Sequence, residues 1–524
     1  MLGVWLTIAL MVALPLGGAP IAAAQYLGLF HTQDEVAVWK ERAVSGPYRV
    51  AGDVQPNSPG DWTRLLANAD AFVANPSVDR YLGTGGTCPT ETAEGPFGGN
   101  QWTRGVKLRD AAFVSVVLGA TNYRDAVLGE LLVHAAAPGL DWTNDTLFGC
   151  STFEGHVTLP WNSLMVKYII AYDMIRASIS APNRTTLDTW FLNYGNRMEQ
   201  KVHGIAAKRV PKRKSDDYTV AAGYATCPTS GGDFAEARTL YVGSVYTTCN
   251  FHAGWHNPSL FGTLGFGLVG IVLNNTPLKT EAKRFFQEHI QFNQWPDGTQ
   301  GETFRWHPNT PLSGMSYPGT VINMLALLAD AFARIGDNSL YDYTTTNGYL
   351  TSQVTNEGTT KSLRHTINEY LARVRGTRSI YAESVTENTK LDADMEACCG
   401  WSTNNDVIVA ALTSRYYQDP ALAAAYRRTS GGPPYSTSLN TNCGGGAGAS
   451  AAWMTGDAFC VLPGVLFQFA QLEGKVNPYP TPPPGPQPPL GSPYVVQVTC
   501  PGTTEPVIVQ VPACPVLASP PPSR

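Results

Sequence analysis

The sequence has few charged residues and no excess of positive charge. Charged residues make up 15% of its 524 residues, whereas roughly a quarter is typical of soluble domains. Lys and Arg number 36 against 41 Asp and Glu, which gives a formal net charge of −5. Nonspecific nucleic-acid binding requires a strong basic excess. We therefore exclude nucleic acids as partners, and a surface so poor in charge is common in secreted proteins.

The chain also lacks a long apolar run after its first residues. A membrane-spanning helix needs about 18 to 20 such residues, so we expect no membrane association beyond the N-terminus. The N-terminus has an apolar stretch at 4–16, then Gly17 and Gly18, then alanines at 22–24. This order is typical of a signal peptide over residues 1–24. No basic residue precedes the stretch, which leaves an uncleaved anchor as the alternative. We expect a secreted, extracellular protein.

The ten cysteines form no CxxC pair and show no Cys/His spacing typical of zinc sites. We therefore expect no metal and no other cofactor. An even number of cysteines in an oxidising compartment favours disulfides, and Cys500 and Cys514, isolated in a short tail, are expected to pair. Glycosylation sequons begin at Asn144, Asn183 and Asn274, which agrees with secretion. The cysteines are Cys88, Cys150, Cys227, Cys249, Cys398, Cys399, Cys443, Cys460, Cys500 and Cys514.

The spacing of apolar residues favours helices over most of residues 25–475, which we expect to form one body. No fixed-period repeat of the solenoid families is present, and the best strand candidate before the tail is 241–248. We therefore predict a mainly α fold, an (α/α) toroid or incomplete barrel of paired helices. The predicted helices are 107–118, 123–136, 161–177, 184–202, 259–273, 278–292, 321–335 before Gly336, 361–375, 405–417, 421–428 and 461–472.

Local signals predict helix ends and the limit of the body. Gly119 is expected to stop the helix before it, and Thr276 is expected to cap the helix that Pro277 opens. Prolines crowd residues 476–493, which favours an extended linker. Beyond the linker, 494–524 is expected to form a small cysteine-containing hairpin with a disordered end.

Two polar segments rich in aromatic residues stand between predicted helices. Residues 249–257 hold two histidines, two asparagines and a tryptophan just before a nearly all-apolar helix. Residues 294–317 have the glycine and proline content of a loop and bring together carboxyl, guanidinium, imidazole and phenol groups. Loops that carry such groups on a helical scaffold are frequent functional sites.

The order of motifs in these two segments resembles that of the alginate-lyase-like polysaccharide lyases. The motifs are Asn250–x–His252, Asp297–Gly298, Glu302–x–x–Arg305, and Tyr317 before an apolar helix that ends at Gly336. Two earlier segments resemble the family's opening helix and its early cleft-lining helix: Phe30-His31 with Trp39 to Arg42, and Leu159 to Trp161 with Tyr172-Asp173. In alginate lyases the Asn and His are adjacent, whereas Phe251 separates them here, and helical lyases acting on glucuronan are a neighbouring group. The resemblance implies an (α/α) toroid that cleaves alginate or glucuronan by β-elimination.

The chemistry of β-elimination matches these residue types. The enzyme removes the C5 proton of a uronate and expels the 4-O-linked sugar, so negative charge develops at the adjacent carboxylate and needs preorganised donors. Asn250 and Arg305 are the expected donors. An imidazole titrates near neutrality, which suits His252 as the base, and Tyr317 is expected to protonate the leaving oxygen. If proton and leaving oxygen share one face, Tyr317 acts as both base and acid, and His252 supports the carboxylate.

Several assignments have alternatives. His256 stands beside Asn257 and could replace His252 as the imidazole, and Arg305 could simply pair with Glu302. A basic run at 208–214 could attract an acidic polymer, or be a solvated loop or a processing site. The side chains expected to bind substrate are Trp255, His256, Glu302, Trp306, His307, Trp161 and His156.

Two rival functions remain open. A glycoside hydrolase on the same scaffold needs two carboxylic acids roughly 5 to 9.5 Å apart, drawn from Asp297, Glu302, Glu154, Asp141 and Asp173. A non-catalytic carbohydrate-binding or cell-wall protein would keep the aromatic residues alone. No G-x-S-x-G or H-E-x-x-H motif supports a protease. We predict a monomeric lyase that acts on an acidic polysaccharide.

Overall fold

The computed structural model describes about half of the chain. The described residues are 28–44, 61–80, 104–144, 158–209, 257–294, 298–300, 313–346, 360–374, 405–427, 462–463, 465–469, 472, 476–480, 494–498 and 507–511. No helix in this part of the chain combines the length and the apolar character needed to cross a bilayer.

Helices dominate the described residues, which confirms the predicted mainly α class. The helices are α1 (Gln33–Val44), α2 (Asp61–Ala74), α3 (Val106–Leu118), α4 (Thr121–Ala135), α5 (Thr158–Arg176), α6 (Ala181–Arg209), α7 (Asn257–Val272), α8 (Thr276–Asn293), α9 (Ser313–Arg334), α10 (Leu363–Val374), α11 (Asn405–Tyr417), α12 (Pro420–Arg427) and α13 (Val465–Phe469). Strands β1 (Thr344–Thr345) and β2 (Lys361–Ser362) pair antiparallel, as do β3 (Tyr494–Val498) and β4 (Val507–Val511) with Tyr494 opposite Val511. The second pair lies in the tail segment for which a small cysteine-containing hairpin is predicted.

The helix signals in the sequence are correct in some places and displaced in others. Gly119 ends α3 in the left-handed conformation, with φ of 68°, as expected of a C-terminal glycine. The cap of α8 is Asn275, not Thr276, because the Asn275 side chain accepts a hydrogen bond from the Leu278 N–H at 3.0 Å. Helix α2 was not among the predicted helices.

Helix α9 begins at Ser313, eight residues before the predicted start at Val321. Pro318 is the sixth residue of the helix, and because it has no backbone N–H, the helix forgoes one i→i−4 hydrogen bond in its second turn. Tyr317 therefore belongs to α9, and the loop expected at 294–317 ends before Ser313.

Five described helices, α3, α5, α7, α9 and α11, form an inner layer in which each packs along the next. Helices α2, α4, α6, α8 and α10 pack outside this layer, and α13 lies against both α11 and α2, which completes the circuit. Almost every described residue of α7 is buried, as its continuous apolar sequence requires. The helices thus form the predicted (α/α) toroid.

The outer helix α6 runs antiparallel to both of its inner neighbours. Near the end of α5, the Tyr172 hydroxyl donates to Asp188 at the start of α6. Near the end of α6, Val202 contacts Gly262 in the first turns of α7. Helices α5 and α7 are therefore parallel, with their N-terminal ends on the same side.

The next outer helix repeats this arrangement. A turn of three residues joins α7 to α8, and Lys283 in the first half of α8 pairs with Asp337 just beyond α9, at 2.9 Å. Helix α8 is therefore antiparallel to α7 and to α9. We call the side on which α5, α7 and α9 begin the N-terminal rim, and the side on which they end the C-terminal rim.

The carboxylate of Glu35 is the centre of a buried ionic cluster at the C-terminal rim. It accepts two hydrogen bonds from Arg334 of α9, at 2.8 and 2.9 Å, and one from Arg415 of α11. It also accepts the backbone N–H of Thr32, whose hydroxyl accepts the Glu35 N–H, the reciprocal capping box of a helix N-terminus. One side chain thus starts α1 and attaches it to two inner helices.

Asp330 and Tyr479 complete this cluster. Asp330 accepts from Arg334 at 2.7 Å and from the Tyr479 hydroxyl at 2.7 Å, and the Arg415 guanidinium lies 4.5 Å from the Phe469 ring centre. Two carboxylates therefore face two guanidinium groups, with no net charge. Burial by itself raises the pKa of Glu35, but Arg334 and Arg415 outweigh it and lower that pKa to about 2.

A second buried carboxyl at this rim, that of Asp173, has a raised pKa, whereas that of Glu35 is lowered. Asp173, near the end of α5, accepts the Leu29 backbone N–H at 2.6 Å. Burial raises its pKa to about 7, against the smaller lowering effects of the Leu29 hydrogen bond and of Arg176 and Arg334. The segment before α1 is therefore held by a carboxyl group that is costly to ionise.

Replacing Glu35 with Gln should lower the free energy of unfolding at pH 7 by about 3 to 5 kcal/mol, because Arg334 and Arg415 lose their buried counter-charge. Since the pKa is lower in the folded state, the native contribution is present above about pH 4.5 and lost as the pH falls towards 2. Urea unfolding at pH 7 and at pH 3 measures both effects. Glu41→Gln, on the exposed face of the same helix, is the control, and equal stability of the two variants at pH 7 would contradict the cluster's role.

Replacing Asp173 with Asn should flatten the pH dependence of stability between about pH 4 and pH 7. The pKa of Asp173 is higher in the folded state, so its contribution is complete below about pH 3.8 and is lost as the pH rises through 7. The shift corresponds to at most about 4 kcal/mol. Urea unfolding across this range gives the free energy of unfolding of the parent and of the variant. The difference between the two should change steadily from pH 4 to pH 8, because only the parent loses stability as Asp173 ionises. A difference that does not change with pH would show that Asp173 ionises normally.

Candidate functional site

Buried polar side chains occupy the first halves of three neighbouring inner helices, next to the N-terminal rim. We call this set the polar belt. Its members are Asn162, Ser163 and Lys167 of α5, Asn257, Ser259 and Thr263 of α7, and Thr320 and Asn323 of α9. In α7 the residues after Thr263 are apolar or glycine, so the interior of the toroid changes from polar to apolar along this helix.

Asn162 is the best-defined member of the polar belt. It accepts a hydrogen bond from the Tyr194 hydroxyl of α6, and its amide nitrogen lies 3.5 Å from the Met198 sulfur. Burial raises the pKa of Tyr194 well above its usual value, so the phenol remains a donor. Gly265 of α7 makes this contact sterically feasible, because a Cβ there would lie 2.2 Å from the Tyr194 oxygen.

Trp161, which we expected to bind substrate, begins the same wall. It is 3% exposed, and its ring meets that of Trp142 edge to face with centres 5.5 Å apart. Trp142 in turn contacts the Tyr194 ring at 5.1 Å. Core packing is therefore the observed role of this indole, and stacking on a sugar stays a prediction.

The chain after α8 is fastened by a network of buried hydrogen bonds. The Gln300 side chain donates to the Thr366 hydroxyl at 2.7 Å and contacts His289 at 3.0 Å, while the Thr366 hydroxyl donates to the Gly298 carbonyl at 2.8 Å. Gln294 and Gln300 also form a β-bridge. These contacts anchor the chain at Gln294 and at 298–300.

Lys361 lies beside this network and is fully buried. Its side-chain nitrogen donates to the Gln291 carbonyl near the end of α8. Burial lowers its pKa to about 7, so the group can exist as a neutral amine near physiological pH.

Most of the sequence-predicted site lies outside the described residues. The Tyr317 backbone lies in the second turn of α9, and Trp161 lies in the first turn of α5. The predicted residues outside the description are Asn250, His252, Arg305, Trp255, His256, Glu302, Trp306, His307 and His156. The signal peptide at 1–24, all ten cysteines and the strand candidate at 241–248 lie outside it as well.

Two of the carboxyl groups considered for a hydrolase, those of Asp173 and Asp141, belong to described residues. Asp173 is the sixteenth residue of α5, and a rise of 1.5 Å per residue puts it roughly 22 Å from the N-terminal rim. Asp141 is exposed, and its carboxylate accepts from the Thr143 backbone and hydroxyl. The family resemblance implies that the helix carrying Tyr172 and Asp173 lines the cleft. In the structure these two residues lie near the end of α5, at the C-terminal rim.

Sequence analysis missed Tyr194, Gln300 and His289 as structural supports of this region. An amide or phenol placed among apolar residues at helical spacing is a usable signal for a buried hydrogen bond. It does not reveal the partner, because Tyr194 and Asn162 are 32 residues apart and meet only when α5 and α6 pack.

Comparison with known proteins finds matches among solved structures alone. No family model matches the sequence, and no curated protein matches it. Among solved structures the chain is similar to alginate lyase A1-III from Sphingomonas species A1, at 13% identity over 68% of this chain and 87% of that one, with a TM-score of 0.37. It is also similar to a variant of alginate lyase A1-III in its apo form, at 12% identity over 65% and 76%, with a TM-score of 0.36. Such low scores carry no argument, and the fold rests on the helix packing described above.

Replacing Gly265 with Ala should lower the free energy of unfolding by about 1 to 3 kcal/mol, because the new methyl group overlaps the Tyr194 hydroxyl. Gly129→Ala is the matched control: a Cβ there meets nothing within 4 Å, so the better helix propensity of Ala should stabilise by roughly 0.5 to 1 kcal/mol. Urea unfolding measures whether each variant is less or more stable than the parent protein. Adding Tyr194→Phe to Gly265→Ala should recover part of the loss, and a neutral Gly265→Ala would show that the two helices are not tightly packed here.

Proposed function

We propose that this protein is a secreted lyase that cleaves a uronate-containing polysaccharide of the alginate or glucuronan type by β-elimination. The observation that supports the proposal most is topological. The two segments that carry the candidate catalytic residues directly precede or begin α7 and α9, two adjacent and parallel inner helices. His156 stands two residues before the third, α5.

Chain length limits how far apart these residues can be. His252 precedes Asn257, the first residue of α7, by five residues, and five extended residues span at most about 18 Å. Tyr317 is the fifth residue of α9. Since α7 and α9 pack side by side with their starts at the same rim, a shared cleft at the N-terminal rim is within reach of both segments.

The inner side of the rim offers groups that can bind a carboxylate. Helices α5, α7 and α9 direct their N-terminal ends towards it, with unpaired N–H groups and partial positive charge. The outer helices α6 and α8 run antiparallel and end at the same rim with the opposite dipole, so the favourable field for an acidic polymer is confined to the inner helices.

The proposed mechanism assigns one role to each residue. Asn250 and Arg305 bind the uronate carboxylate and stabilise the enolate-like dianion, His252 removes the C5 proton, and Tyr317 protonates the departing 4-oxygen. In the syn arrangement Tyr317 performs both proton transfers, and His252 binds the carboxylate. Abstraction of the proton and loss of the sugar leave a C4–C5 double bond in the new terminal uronate.

Purified protein should generate ultraviolet absorbance from unsaturated uronate ends on alginate or on glucuronan, and none on a neutral glucan. Tyr317→Phe should reduce this rate by about 10²- to 10⁴-fold, the usual contribution of a general acid or base. Tyr123→Phe is the matched control, since that hydroxyl donates to Asp70 on an outer helix and its loss should leave the rate unchanged.

Other outcomes separate the rival functions. New reducing ends without absorbance would mean hydrolysis and refute elimination. Retained polymer binding without any cleavage would favour a carbohydrate-binding protein. A fully active Tyr317→Phe variant would be compatible with β-elimination but would refute the assignment of Tyr317 as the acid.

A further inference from the structure

A group of three metal-ligating side chains lies on the outer face of the toroid, between α6 and α8. Glu199 and His203 of α6 are four residues apart, so they occupy one helical face, and Glu281 projects from α8 beside them. The His203 Nδ1 atom is 3.8 Å from a Glu199 oxygen and 3.6 Å from a Glu281 oxygen. One ligand atom from each side chain lies within 4.8 Å of the others.

The backbones that carry these residues are held in place by the apolar layer beneath them. Val202 and Met198 of α6 pack against Gly262 of α7, and Gly195 lies so close to Val269 and Leu278 that a Cβ would be 2.9 Å from each. The glycines thus allow α6 to pack closely against α7 and against the start of α8. A binding group on rigid helices needs little reorganisation to hold a ligand.

The spacing of the three side chains fits a divalent cation of the zinc type. Metal–ligand bonds of about 2.0 to 2.2 Å in a tetrahedral site place neighbouring ligand atoms roughly 3.3 to 3.6 Å apart, close to the 3.6 and 3.8 Å that separate His203 Nδ1 from the two carboxylates. One imidazole with two carboxylates suits zinc or a similar transition metal, whereas calcium and magnesium prefer all-oxygen sets.

The group is open to solvent on one side. The His203 side chain is 41% exposed, so solvent can reach the group and complete a coordination shell.

We propose that Glu199, His203 and Glu281 bind one zinc-type divalent cation that links α6 to α8. The site is separate from the residues proposed for catalysis and does not rest on the proposed lyase activity. Its function is structural: it fixes the last turns of α6, which continue from His203 to Arg209 at the N-terminal rim. The sequence offers no motif for it, because two of the ligands share a helix and the third comes from a helix 78 positions later in the chain (203 to 281).

The test uses untagged full-length protein, stripped with a chelator and dialysed. Titration with ZnCl₂ by calorimetry should show one ion per chain with micromolar or tighter affinity, and zinc should raise the thermal midpoint. CoCl₂ should give the visible absorption of four-coordinate Co²⁺. His203→Gln and Glu281→Gln should each weaken binding by at least about tenfold, with unchanged far-ultraviolet circular dichroism.

Glu41→Gln, which removes one exposed carboxylate from α1, should bind zinc like the parent protein. The proposal is overturned if no ion binds in the micromolar range, or if the site variants and Glu41→Gln bind alike. Tighter binding of Ca²⁺ or Mg²⁺ than of zinc would also refute it. None of these readouts requires enzymatic activity, so they stand apart from the test of the lyase.

Discussion

The toroid depends on one buried carboxylate. Glu35 caps α1 and accepts hydrogen bonds from arginines of α9 and α11, two inner helices that follow it by some 300 and 380 residues. Asp330 balances the remaining positive charge and receives the Tyr479 hydroxyl. Burying four charges is costly unless each is paired, so this cluster tolerates only one arrangement of the helices that supply it. Alignment of the inner helices, and hence of the rim where they begin, follows from that restriction.

Local sequence signals account for most of the helices and for little of their assembly. Apolar periodicity located α3 to α12 because each of these helices buries a continuous stripe, and α11 matches its prediction at both ends. Helix α2 has the same signal at Trp62, Leu65 and Phe72, weakened by the alanines and asparagine between them. The start of α9 was placed eight residues too late because the glycine and proline content of 294–317 favours a loop and the continuous apolar run begins only at Val321.

The candidate site, too, could be predicted from the sequence only in part. Chemistry-bearing residues in 249–257 and 294–317 are recognisable from sequence, since histidine, arginine and tyrosine rarely cluster in a passive connection. It could not be deduced from sequence that α7 and α9, the helices after these segments, begin at the same rim, because this follows from α6 and α8 each running antiparallel to the inner helices beside them. The supports beneath the rim, such as Asn162 with Tyr194 and Gln300 with Thr366, join residues that no local pattern connects.

Closure of the ring has a consequence for the order of folding. Trp39 of α1 donates to the backbone of Gln468, 429 residues away, so the earliest helix acquires its partners only after nearly the whole body has been synthesised. Contacts this distant carry a large loop-closure cost and slow the final step. During synthesis, α1 therefore stays exposed with Glu35 and Trp39, two side chains that are buried in the folded protein, until the C-terminal part of the ring can pack on it.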